Sequence, residues 1–160
     1  MNKRGFTLME MLIVIAIIGI IAGAVTPTFL RWRTNQQLSQ AARQIYSDLQ
    51  SARMVAIKRN SFAFVSFNTA SGTYFGWVDQ SGGFSGVYDA GVDDLLFNGS
   101  MPPGVRLTGA NFSVGSVASF SPMGFGRWPG GALNMGTVTV ANSFRTSRIV
   151  VNSSGNVRIS

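Results

Sequence analysis

From Phe6 to Leu30 the chain carries one charged side chain, Glu10, and Met11 to Leu30 is an unbroken run of twenty uncharged residues. At about 1.5 Å per residue, that run makes a helix roughly 30 Å long, the thickness of a bilayer's hydrocarbon core. Past Pro27 the pattern becomes one-sided. Leu38, Ala41, Ala42, Ile45, Leu49, Ala52, Val55 and Ala56 recur at three- and four-residue steps, one apolar face of a helix. Arg33, Arg43, Asp48, Arg53, Lys58 and Arg59 fall mostly off that stripe. The pattern predicts one long helix from about Phe6 to Lys58, apolar all round over 6–30 and amphipathic over 31–60, with Asn60 as its stop. From 61 to 160 strand chemistry takes over: Phe62–Phe67, Thr73–Val78, Val105–Leu107, Val117–Phe120, Gly136–Val140, Ser147–Val151 and Asn156–Ile159. Turn signals separate them, among them Ala70-Ser71-Gly72, Met101-Pro102-Pro103-Gly104 and Ser153-Ser154-Gly155. A helix followed by many hairpins predicts an α+β fold, the helix packed on an antiparallel β-sheet domain.

The apolar segment by itself admits three readings. It is a plain membrane anchor; or a secretory signal with basic Lys3-Arg4 and a small-residue cleavage site at Ala22-Gly23-Ala24; or a segment retained after a short leader is cut off ahead of it. Glu10 discriminates among them, because a lone carboxylate there is costly, about 2.5–3.5 kcal/mol near a bilayer centre and less toward its edge. Arg31 and Arg33 beyond the segment balance Lys3 and Arg4 before it, which weakens an orientation argument from flanking charge. Gly19, Gly23 and Pro27 weaken the helix at defined points, since a proline disrupts the hydrogen bond and packing one turn earlier. Membrane helices tolerate such residues, so a harmless kink is the plain alternative.

Composition narrows the chemistry. There are 13 Lys+Arg against 6 Asp+Glu, no Cys and no His. Thiol nucleophiles, thiolate and imidazole metal sites and the commonest general base are therefore all missing. No Ser-His-Asp or Cys-His set can be assembled, and a non-enzymatic role without a cofactor is expected. Asp89, Asp93 and Asp94 form the one carboxylate cluster, but the spacing of a calcium loop is absent and a solvated hairpin loop is expected. Gly124-Phe125-Gly126-Arg127-Trp128-Pro129-Gly130 lacks the Lys-Ser/Thr ending of a phosphate-binding loop and reads as turn chemistry between strands. The excess of arginine suits nucleic acid, acidic lipid or acidic protein neighbours, and charge alone does not choose among them.

Lys3-Arg4-Gly5-Phe6-Thr7-Leu8-Met9-Glu10 resembles the type IV prepilin signature, a basic leader ending in Gly followed by Phe, Thr, Leu, any residue and Glu. The resemblance implies a leader at 1–5, cleavage between Gly5 and Phe6 by a membrane-embedded prepilin peptidase, and N-methylation of Phe6. The new amine would lie one helical turn before Glu10. In a filament, Glu10 would face the Phe6 amine of a neighbouring subunit, a buried charge acting as a register device. Pilin-like filaments loosen the helix when packed, and Gly19 to Pro27 would be that stretch here. Farther along, Asp48-Leu49-Gln50-Ser51-Ala52-Arg53, Phe120-Ser121-Pro122-Met123-Gly124, Arg148-Ile149-Val150-Val151 and Gly155-Asn156-Val157-Arg158-Ile159 are similar to the GspH/FimT family of minor pseudopilins and pilins.

That resemblance implies a subunit anchored in the bacterial inner membrane by one pass, its β-rich domain (61–160) in the periplasm. Such a subunit would help to initiate or cap a type IV pilus or a type II secretion pseudopilus. Its expected partners are the prepilin peptidase, other pilins or pseudopilins, and inner-membrane lipid. Some FimT-type pilins bind DNA through a Gly-Arg-x-Arg element. Here Gly155-Asn156-Val157-Arg158 lacks the first Arg, leaving Arg127, Arg145, Arg148 and Arg158 as candidate contacts to DNA or to a partner subunit.

Overall fold

A computed structural model describes residues 7–80 and 86–160, with the backbone alone over 24–27. Helix α1 runs from Leu8 to Arg59. Thr7 caps its start, its hydroxyl accepting from the Glu10 N–H at 3.2 Å. Asn60 ends it in the left-handed conformation (φ 51°), its N–H reaching the carbonyls of Ala56 and Ile57. Asparagine tolerates that conformation better than most residues, and the cap satisfies carbonyls the last turn would leave unpaired.

Eight strands follow: β1 Ala63–Asn68, β2 Thr73–Val78, β3 Asp94–Ser100, β4 Arg106–Phe112, β5 Val117–Phe120, β6 Gly136–Ala141, β7 Thr146–Val151 and β8 Val157–Ile159. They form two four-stranded antiparallel sheets, ordered β3-β2-β1-β5 and β4-β6-β7-β8. The amphipathic half of α1 packs across both. Leu38, Ala42, Ile45, Leu49, Ala52 and Ala56 are buried against Val65, Phe120, Val138, Val140, Ile149 and Val151. Small residues alternating with Ile and Leu let the helix lie close to the sheets while filling the space between.

The other face of the first sheet is covered too. Phe64 and Trp77, paired across β1 and β2, stack at 5.4 Å, and Trp128 stands edge-on to Phe64 at 5.4 Å. Tyr88 closes over Phe75 and Trp77. The glycine-rich stretch around Trp128 is thus a cover for an aromatic layer.

Two expectations change. Strand β3 lies where the sequence showed no alternation, because Leu95-Leu96-Phe97 sits on a sheet edge whose register shifts between Gly76 and Trp77. The Asp89, Asp93, Asp94 run is not a uniformly solvated loop. Asp93 is buried and accepts from the N–H groups of Gln80 and Asp89 at 3.1 and 2.8 Å. Asp94 opens β3, pairs with Arg59 and accepts from Gln80 Nε2. Among the described residues no three such side chains are placed to share a metal ion.

Candidate functional site: an exposed apolar helix locked to its domain

The first half of α1 has no protein around it. Leu8, Met9, Ile15, Ile18, Ile20 and Ile21 are 58–79% exposed, and side chains around the whole circumference share that exposure. Two parts of α1, Leu8–Gly23 and Thr28–Arg59, set at 40° to one another, are together long and apolar enough to cross a membrane by length and composition, though no single helix among the described residues is when the two parts are taken separately. Glu10 is exposed within this apolar surface. Gly5 and Phe6 lie outside the described residues. Gly19 and Gly23 face open space, and the helical backbone continues through Pro27.

The second half is fixed to the domain by two polar locks that pattern reading missed. At the first, the Tyr74 hydroxyl donates to Asp48 Oδ2 at 2.6 Å, and Gln44 Nε2 donates to the same carboxylate at 3.0 Å. Burial, then the hydrogen bond and charge of Asp48, push Tyr74 far above the usual tyrosine range, so its hydroxyl stays a donor. At the second, Arg53 Nε donates to the Gly124 carbonyl at 2.9 Å, while its terminal nitrogens reach Asn156 Oδ1 and the Ser154 carbonyl at 3.4 and 3.5 Å. One guanidinium thus ties α1 to the loop after β5 and to the β7–β8 turn, using the fixed fork of donors that lysine lacks. A charged residue bordering the apolar stripe of α1 was the available signal; its partners, two backbone carbonyls and one asparagine side chain, lie far along the chain.

The four candidate arginines do not form one cluster. Arg148 and Arg158 share the outer face of β7 and β8, since Arg158 pairs with Val150, two residues from Arg148, while Ile149, Val151 and Val157 point inward. Arg145 lies at the β6–β7 turn. Arg127 lies apart, bridged to Leu133, its carbonyl accepting from Ser119 of β5.

Residues 41–155 match the family model for the type II transport protein GspH. The chain belongs to the GspH family. Residues 1–26 match the prokaryotic N-terminal methylation motif, which covers the apolar helix bearing Glu10. The GspH-family chain is 30% identical over 99% of its length to a pilin-like protein of Thermus thermophilus, 99% of which is covered. It is 29% identical over 79% of its length to a type IV major pilin of Myxococcus xanthus, of which it spans 63%. Its fold is shared with the type IV minor pilin FimU of Pseudomonas aeruginosa (TM-score 0.56, 12% identity, 79% of this chain and 90% of that one). The minor pseudopilin EpsH of the Vibrio cholerae type II secretion system has it as well (TM-score 0.52, 13% identity, 78% and 96%). The chain is a minor pilin or pseudopilin with a type IV pilin fold: a long helix whose apolar half projects from an antiparallel β domain.

Proposed function

We propose that this chain is a non-enzymatic filament subunit that helps to initiate or cap assembly at the inner membrane. Prepilin peptidase would cut it between Gly5 and Phe6 and methylate Phe6, and the domain would stand in the periplasm. The observation that carries the reading is Glu10, a carboxylate exposed on a helix whose other surroundings are apolar. In lipid or a filament core such a charge requires a partner. The amine created at Phe6, four residues earlier, is one helical turn away in the same chain and available from a neighbouring subunit. Release of the helix around Gly19, Gly23 and Pro27 during packing belongs to the same proposal. The test is to compare the wild-type and Glu10→Ala chains in membranes and in sheared filaments. Wild type in both and the variant in membranes alone supports the role; equal incorporation of the two removes Glu10 from it.

A second reading, a surface DNA receptor, is favoured by one observation: Arg148 and Arg158 are exposed on one sheet face, with inward positions taken by apolar residues. Such a face would bind phosphate with a strong salt dependence. DNA binding lost on replacing both arginines with Gln supports it, and no binding at low salt excludes it.

A further inference from the structure

The end of the domain nearest the apolar segment has a construction that the two locks do not use. Where the apolar run ends, Phe29 and Trp32 lie 5.8 Å apart and both are more than half exposed, with Arg31 and Arg33 beside them. The β6–β7 turn is fastened at this level. Asn142 Nδ2 donates to the Thr34 carbonyl at 3.1 Å and to Asn35 Oδ1 at 3.0 Å. Its Oδ1 accepts from the N–H groups of Phe144 and Arg145 at 2.8 and 2.6 Å. One side chain therefore sets both the position and the shape of the turn. The result presents Phe144, 54% exposed, with the Arg31 guanidinium over its ring at 5.4 Å and Arg145 exposed next to it.

Charge is segregated along the molecule. No acidic residue occurs between Met11 and Ser47. Asp79, Asp93 and Asp94 lie at the opposite end of α1, where Asp79 N–H bonds to Phe62 and Asp94 pairs with Arg59. Among the described residues no carboxylate is ion-paired to Arg31, Arg33 or Arg145. Exposed aromatic rings interleaved with arginine, at the end of an apolar helix and without acidic side chains among them, match the requirements of a membrane–water interface, where rings lie at headgroup depth and guanidinium groups meet lipid phosphate.

We propose that the β6–β7 turn, with the Arg31–Arg33 collar, is a docking surface for anionic phospholipid headgroups that seats the domain on the bilayer and sets its tilt before the subunit enters a filament. The proposal rests on membrane anchoring by the apolar helix, and its test separates the two. The native chain has no cysteine, so single nitroxide labels can be attached to the full chain through Ser143→Cys at the turn, Ile17→Cys in the apolar helix, and Ser154→Cys at the far β7–β8 turn. Each is reconstituted in nanodiscs of phosphatidylcholine with or without about one-third phosphatidylglycerol, and its collisions with oxygen and with a water-soluble nickel chelate are measured.

The expected result is shielding of the label at 143 from nickel, several-fold relative to position 154, in anionic discs. High salt, or Arg33→Gln with Arg145→Gln, should weaken that shielding while position 17 stays immersed. Nickel access at 143 equal to that at 154, with 17 immersed, overturns the proposal and leaves the anchor intact. A water-accessible label at 17 overturns the anchoring and the proposal with it. Shielding of position 143 by a short DNA duplex, with none from anionic lipid, overturns the proposal by assigning the turn to nucleic acid.

Discussion

Gly155→Ala tests whether the Arg53 lock holds the helix to the domain. Gly155 has φ 76°, and a Cβ there would lie 1.9 Å from the Gly124 carbonyl oxygen and 3.1 Å from Arg53 Nε. The left-handed conformation costs a residue with a Cβ about 1–2 kcal/mol. The carbonyl must also move away by more than an ångström, which takes it out of reach of Arg53. Loss of a hydrogen bond to a charged donor adds about 1.5–3 kcal/mol. The sum is about 2.5–5 kcal/mol. Gly115→Ala is the control, because Gly115 has φ 59° and nothing within 4 Å of the new Cβ; it should cost only the conformational part. Urea unfolding of the detergent-solubilised chain, followed by tryptophan fluorescence, gives both values at unchanged slope. A double-mutant cycle with Arg53→Ala should be non-additive by at least 1 kcal/mol, as expected for groups sharing one contact. Equal costs for the two glycine substitutions, or additivity with Arg53→Ala, would refute the lock.

Tyr74→Phe leaves Asp48 with one partner fewer and should cost about 1–2 kcal/mol in the same unfolding assay. Because Tyr74 is raised in the folded chain, its contribution holds below about pH 10 and is lost above it, where the unfolded chain gives up the phenolic proton first. Wild type should accordingly lose stability more steeply than Tyr74→Phe above that pH; parallel curves would rule out the coupling. Leu49→Ala, at a fully buried position of α1, should cost about 2–5 kcal/mol. Trp128→Ala should uncover Phe64 and destabilise by about 2 kcal/mol, less than a fully buried ring because Trp128 is half-buried. A change under 0.5 kcal/mol at either position would contradict the packing described.

The long helix was legible because its two periodicities are long and uninterrupted: lipid-like apolarity all round, then a stripe from Leu38 to Ala56. Most strands were legible from β-branched and aromatic runs between glycine turns. Strand β3 was not, since an edge strand with a bulge need not alternate. The Arg53 and Asp48 locks were hidden for a different reason. Their partners, the Gly124 carbonyl and Tyr74, lie 71 and 26 residues away, and a backbone carbonyl has no sequence signature. The same contacts give physical content to the family pattern. Gly124 and Gly155, which stand in the stretches that resemble it, have backbones that meet under one guanidinium.

In the proposed mature chain the apolar helix begins at a new amine positioned for Glu10. Intact-mass and N-terminal analysis of the chain purified from membranes of a host with prepilin peptidase tests it most directly. The expected product is a mature chain starting at Phe6 and carrying one N-methyl group, with the Met1–Gly5 leader retained when the peptidase is absent. A chain that starts at Val25, or one that keeps Met1 in the presence of the peptidase, would contradict it.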